Sequence, residues 1–130
     1  METHIAFIHA PIVLPLLAPP SREVGACVEF SGIVRETEND RALAGLHYEA
    51  YESMARIQLA RIFAALHAAH PCAAVTFIHR LGWVPVGEAS LFVRVLAAHR
   101  GEALRFLAEA IDRMKADVPI WKRAPRPSSS

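Results

Sequence analysis

Residues 25–35 read Gly-Ala-Cys-Val-Glu-Phe-Ser-Gly-Ile-Val-Arg. In an extended chain Ala26, Val28, Phe30, Gly32 and Val34 share one face, and Cys27, Glu29, Ser31, Ile33 and Arg35 the other. That period of two marks a half-buried strand. Upstream, residues 3–9 predict a first strand; downstream, 36–41 are polar and read as a turn or mobile loop. Residues 43–51 predict another long strand, with Leu46, Tyr48 and Ala50 facing one way. The period then changes. Leu59, Ile62, Phe63 and Leu66 are spaced i, i+3, i+4, i+7, which predicts a helix over about 52–70, stopped by Pro71. Residues 73–80 read as a strand and 81–87, with Gly82, Pro85 and Gly87, as a turn region. Residues 89–98 read as a strand buried on both faces, apart from Arg94. A second helix is expected over about 102–117, with a stripe of Leu104, Leu107, Ala108 and Ile111, ended by Pro119. Residues 118–123 continue as an extended segment. Strands joined by short loops favour antiparallel pairing, so the expected class is α+β: mostly antiparallel strands with two main helices packed on them.

A chain of 130 residues is one domain of ordinary size, able to bury a core without disulfides or a metal. Hydrophobic residues at 53% and charged residues at 21% exclude disorder over most of the chain. The apolar share is high enough to predict a buried subunit interface. Fourteen Lys and Arg against thirteen Asp and Glu leave a formal +1, without the basic field of a general nucleic-acid binder. Cys27 and Cys72 form neither a disulfide framework nor a Cys-x-x-Cys pair, which fits a reducing cytoplasm. The apolar stretch 5–20 has no preceding Lys or Arg and is interrupted by Pro11, Pro15, Pro19 and Pro20, so it reads as neither signal nor membrane segment. Residues 1–123 are expected to form a single domain and 124–130 a disordered tail.

Twelve of the fourteen cations are Arg; the lysines are Lys115 and Lys122. Arg stays charged, whereas a desolvated Lys can act as base or nucleophile. Lys115 follows Ile111 by four residues and Ala108 by seven. On the expected stripe it continues the apolar face, where its neutral form is favoured. Lys122 lies beyond Pro119, next to Trp121. From Asp112 to Arg126 five cations face two acids, either a site for a phosphate or carboxylate tail or a solvated helix end. His99-Arg100 opens the second helix, where backbone N–H groups also point at anions. Arg35 ends the 25–35 strand and by itself reads as a surface cation. His67-x-x-His70 has metal-ligand spacing but nothing nearby to complete a set. Cys27 is expected to be packed within its strand. Dinucleotide-binding, P-loop and Gly-x-Ser-x-Gly motifs are absent.

Taken together, these segments resemble the large, catalytic subunit of molybdopterin synthase. The resemblance covers roughly residues 3–123. It runs through residues 25–35, Leu46-His47-Tyr48-Glu49-Ala50-Tyr51, His79-Arg80-Leu81-Gly82, Ala98-His99-Arg100 and Asp112-Arg113-Met114-Lys115. Val118-Pro119-Ile120-Trp121-Lys122, in register with a Lys seven residues earlier, is the most specific part. The resemblance implies an α/β hammerhead-like fold and a homodimer. Each protomer would bind a small ubiquitin-like sulfur-carrier subunit, giving a heterotetramer. The carrier's C-terminal Gly-Gly thiocarboxylate would enter a pocket, and sulfur would pass twice onto cyclic pyranopterin monophosphate to make the molybdopterin dithiolene. By position, Lys115 and Lys122 match the family's catalytic lysines. Arg35, His99 and Arg100 match groups that bind the substrate's phosphate and pterin; whether one or both subunits supply them stays open. No cofactor or metal is implied. Where the family often continues Trp-Lys with Lys and Glu, this chain has Arg123-Ala124, and its 36–41 loop is short and lacks glycine.

Two other classes compete with the enzyme. One is a non-catalytic module that holds an anionic phosphorylated metabolite on Arg35, His99 and Arg100. The other is an interaction protein whose C-terminal segment docks a partner. A binding module tolerates Lys122→Arg because charge is kept; an enzyme loses turnover with Lys115→Ala.

Overall fold

The computed structural model describes residues 1–124. Its elements are β1 (Glu2–Ile8), β2 (Ala26–Ile33), β3 (Thr37–Glu38), β4 (Arg41–Ala42), β5 (Gly45–Ala50), α1 (Glu52–Ala69), β6 (Ala74–Arg80), β7 (Gly82–Pro85), β8 (Ala89–Ala97), α2 (Arg100–Asp117) and β9 (Ile120–Arg123). The expected tail lies, except for Ala124, outside the described residues.

A four-stranded sheet runs β1-β6-β8-β2 and a three-stranded sheet β7-β5-β9, with β3 and β4 as a separate hairpin. The class is α+β, with two helices packed on mixed, mostly antiparallel sheets. One pairing departs from expectation: β1 lies parallel to β6, with Glu2 opposite Ala74 and Ile8 opposite Arg80. The short-loop argument does not reach β1, because a long proline-rich segment separates it from β2 and leaves its direction free.

β2 alternates as read, with Ala26, Val28 and Phe30 turned to the core and Cys27, Glu29, Ser31 and Ile33 outward. Cys27 is therefore exposed rather than packed. The residues expected to form only a turn, 81–87, contain β7, which pairs with β5 from Gly45–Pro85 to Tyr48–Gly82. Gly82, at φ +82°, makes the corner that lets Trp83 and Val84 re-enter a sheet.

Both helices cover one face of the four-stranded sheet. α1 buries Ala55, Leu59, Ile62, Phe63 and Leu66, the expected stripe plus one turn. α2 begins at Arg100 and buries Ala103, Phe106, Leu107, Ala110 and Met114. The stripe read from sequence is rotated from this one: Leu104 is 53% exposed. Two overlapping stripes of helical spacing exist in α2, and the contact of Phe106 with Phe63 (ring centroids 6.0 Å apart) selects between them. These side chains and Val75, Phe77, Val93 and Val95 form one core.

On the opposite sheet face Arg94 is itself buried. It donates to Glu29 Oε2 at 3.0 Å and to the Leu16 carbonyl at 3.4 Å. A buried guanidinium needs such partners, and these pin the proline-rich segment onto the sheet.

Candidate active site

Pro119 ends α2 by lacking a backbone N–H, and Val118 buries its side chain as the chain turns extended. The Tyr51 N–H donates to the Pro119 carbonyl at 3.1 Å, and β9 then pairs with β5, setting Lys122 opposite Tyr48. Arg123 pairs with Glu49. Lys122 Nζ lies 2.5 Å from Glu38 Oε1. A cavity of about 180 Å³ is lined there by Glu38, Asn39, Arg41, Leu43, Leu46 and Lys122, among others. The β3–β4 hairpin that carries Glu38 turns through Asn39 and Asp40, both in the left-handed region. The sequence reading missed Glu38; its one local signal was the Asn-Asp pair, which tolerates positive φ.

Lys115 sits in the last turn of α2 and is exposed in the single chain. The expected desolvation by the helix's own apolar face is absent, because that face is rotated.

His99 caps the other end of α2 with extended backbone. A cavity of about 580 Å³ is lined by Gly25, Ala98, His99, Arg100, Gly101 and Arg105. A Cβ on Gly25 would meet the Ala98 carbonyl oxygen at 2.5 Å, so glycine allows β2 to start against this turn. Arg105 Nη1 comes within 3.0 Å of where a Cβ on Gly101 would stand. Among the described residues no carboxylate lies within 4.0 Å of the charged nitrogens of His99, Arg100 or Arg105. Arg100 and Arg105 make the cavity wall cationic, suited to an anion. The sequence reading did not include Arg105.

Arg35 is exposed just past β2. Buried Val34 holds the strand end by donating to the Glu88 carbonyl (3.1 Å) and accepting from the Gly87 N–H (2.9 Å). β2 is antiparallel to β8, and α2 turns back along β8, so α2 runs parallel to β2. Gly25 and His99 share one end; Arg35 and Lys115 share the other. Fifteen residues of α2 separate Arg100 from Lys115, about 22 Å at the helical rise. Within one chain Arg35 and Lys115 thus fall at one end of α2 and His99 and Arg100 at the other, while Lys122 lies on β9 beside Glu38.

Other candidates are occupied otherwise. His67 Nδ1 accepts the Cys72 N–H at 3.1 Å, and His70 pairs with Glu109 at 3.2 Å. No group of three or more His, Cys, Asp or Glu among the described residues is placed to hold a metal ion. Burial pushes the Cys72 thiol up to about 11, which keeps it protonated near neutrality. No described helix is long and apolar enough to cross a membrane.

The family model described as MoaE protein matches residues 7–117. The molybdopterin synthase catalytic subunit of Oryza sativa subsp. indica is 46% identical over 99 residues, 76% of this chain and 51% of that protein. The chain therefore spans about half the length of that relative. The crystal structure of molybdopterin synthase from Staphylococcus aureus superposes with a TM-score of 0.83 at 29% identity, covering 95% of this chain and 91% of that one. A complex of subunits 1 and 2 of molybdopterin-converting factor from Helicobacter pylori 26695 shares the fold, with a TM-score of 0.73 at 22% identity over 92% of this chain and 83% of that one.

Proposed function

This chain belongs to the MoaE protein family, and on that premise we propose that it is the catalytic subunit of a molybdopterin synthase. It transfers sulfur from the thiocarboxylate of a small ubiquitin-like carrier subunit to cyclic pyranopterin monophosphate, in the cytoplasm, with residues 1–123 as the catalytic domain. Its relatives carry the catalytic-subunit name, and the Helicobacter pylori protein is described in complex with a second subunit.

The observation that carries the mechanism is the split of the candidate residues along α2. Lys115 and Arg35 lie at one end, and a cavity of about 180 Å³ beside Lys122 offers room for an extended carrier tail. His99 and the unpaired Arg100 lie at the other end. A homodimer in which His99 and Arg100 of the partner subunit face Lys115 makes one complete site. The arginines hold the substrate's phosphate and neutralise charge that develops when the thiocarboxylate attacks. Sulfur attack joins carrier and pterin as a thioester; water then cleaves its acyl C–S bond, leaving the thiol on the pterin and a carboxylate on the carrier that Lys122 holds, and Lys115 moves protons during opening of the cyclic phosphate and loss of water. The partner covers Lys115 and supplies the desolvation that its own helix does not, which favours the neutral amine.

The test is reconstitution. Purified protein with thiocarboxylated carrier converts cyclic pyranopterin monophosphate to molybdopterin. Lys115→Ala keeps the dimer and carrier binding but loses turnover by about 10²–10⁴-fold, the usual worth of a general acid or base. A wild-type rate in that variant overturns the catalytic assignment.

A further inference from the structure

Arg35 is exposed, and among the described residues no carboxylate lies within 4.0 Å of its charged nitrogens. Its direction is therefore set by the backbone that carries it. Near the end of β2 the ladder with β8 slips: Gly32 lies opposite Leu91 but Ile33 opposite Ala89, passing over Ser90. A bulge of this kind bends the ladder and re-aims the side chains beside it. Val34 then leaves the main core for a smaller one, where it packs with Leu46 and Val84.

Beyond the slip, β2 is held by the turn between β7 and β8. Val34 donates to the Glu88 carbonyl and accepts from the Gly87 N–H. The turn closes through the Glu88 N–H on the Pro85 carbonyl at 3.1 Å, with Gly87 at φ +88° in the third position, where a type II turn needs glycine. Two of its ties, Pro85 opposite Gly45 and the Val86 N–H on the Ala44 carbonyl at 3.0 Å, belong to the three-stranded sheet. A side chain ties it to the four-stranded sheet: Arg80, the last residue of β6, donates from Nη1 to Glu88 Oε1 at 2.8 Å. Arg80 is only 9% exposed, and among the described residues its Nε has no partner. A buried guanidinium with an unfilled donor is an inefficient source of stability, since an apolar pair of similar volume serves as well.

We propose that the Arg80–Glu88 pair is a positioning device that aims Arg35 at the pterin substrate's phosphate; the inference rests on the reading above, in which Arg35 binds that substrate. The linkage is short: guanidinium, carboxylate, turn, Val34, Arg35. With the pair in place, the turn is fixed to both sheets, and Arg35 keeps one bearing relative to Lys115 at the same end of α2. Without it, the turn follows the three-stranded sheet alone. Arg80 and Glu88 themselves touch no substrate.

A double-mutant cycle in the reconstituted full-length protein tests the linkage. Glu88→Ala is expected to lower kcat/KM for cyclic pyranopterin monophosphate by about tenfold, the worth of one charged hydrogen bond, with the Michaelis constant for the carrier unchanged. Arg80→Met combined with Glu88→Ala leaves no buried charge unpaired; it gives the same loss and serves if Glu88→Ala alone does not fold. In an Arg35→Ala background, Glu88→Ala is expected to cost less than about twofold, because residues that act through one group are not additive. A full tenfold loss in that background, or a matching rise in the carrier's Michaelis constant, overturns the linkage and leaves the role of Arg35 standing. So does an unchanged kcat/KM in the Glu88 variants while Arg35→Ala is impaired. A wild-type rate in Arg35→Ala overturns both the role of Arg35 and the positioning built on it.

Discussion

Lys122 Nζ stands 2.5 Å from Glu38 Oε1, tying β9 to the β3–β4 hairpin beside the narrow cavity. Lys122 is more than half exposed, and an ion pair of that kind contributes less than about 1 kcal/mol to folding. Its value is positional: a carboxylate holds the amine beside the cavity.

Lys122→Ala is therefore expected to leave thermal unfolding within a few degrees of wild type while turnover falls by about 10²-fold or more. Lys122→Arg keeps charge but not the compact amine, and is expected to lose most turnover while still binding carrier. Carrier affinity by titration calorimetry and turnover in the reconstituted assay separate the two effects. Full activity in Lys122→Arg would show that Lys122 acts through its charge alone and is not a proton donor or nucleophile.

Lys115 and Arg100 lie about 22 Å apart along one helix, so the proposed site takes them from different copies. Lys115→Ala and Arg100→Ala homodimers are each expected to be impaired. Mixed and re-equilibrated, they give heterodimers holding one site with both residues intact, and activity returns toward half of wild type per heterodimer. Mixtures no more active than their components contradict a shared site.

Gly25 touches the Ala98 carbonyl, and a Cβ at that position has 2.5 Å where contact distance is needed. Gly25→Ala forces β2 and the His99–Arg100 turn apart, at about 1–3 kcal/mol by the general cost of overpacking. Chemical denaturation measures the loss. Because the turn also lines the cationic cavity, the Michaelis constant for the pterin substrate is expected to rise as well.

His79 is buried, and burial holds its imidazole below the ordinary histidine value of 6.5, although its Nδ1 contact with the Arg80 carbonyl at 2.8 Å acts in the opposite sense. The unfolded chain therefore takes up this proton first as pH falls. The stability that neutral His79 provides is complete above about pH 6.5 and is lost progressively below it. Thermal unfolding between pH 7 and 5 is expected to fall less steeply in His79→Gln than in wild type. Equal slopes would show that His79 does not set the acid response.

The alternation of 25–35 and the stripe of Leu59, Ile62, Phe63 and Leu66 were legible because each matches one period and one burial face. α2 was legible as a helix but not in orientation. Its apolar residues span two stripes, and nothing local decides between Leu104 and Phe106. β7 was hidden by Gly82 and Pro85, residues that read as a turn yet fit a short strand when β5 lies alongside. Glu38 and Arg105 were missed because their roles depend on what other elements bring near them.

The amino-acid sequence by itself determined the order of the long strands and the two helices, the α+β class and the scarcity of lysine, since these follow from periodicity and residue chemistry along the chain; the set of five candidate residues came from the family resemblance. Tertiary structure decided which face of α2 is buried, that β1 runs parallel to β6, and that Arg100 stands nearly a helix length from Lys115. Those relationships arise from packing between segments distant in sequence. No local pattern encodes which of two equally apolar faces will find the better partner.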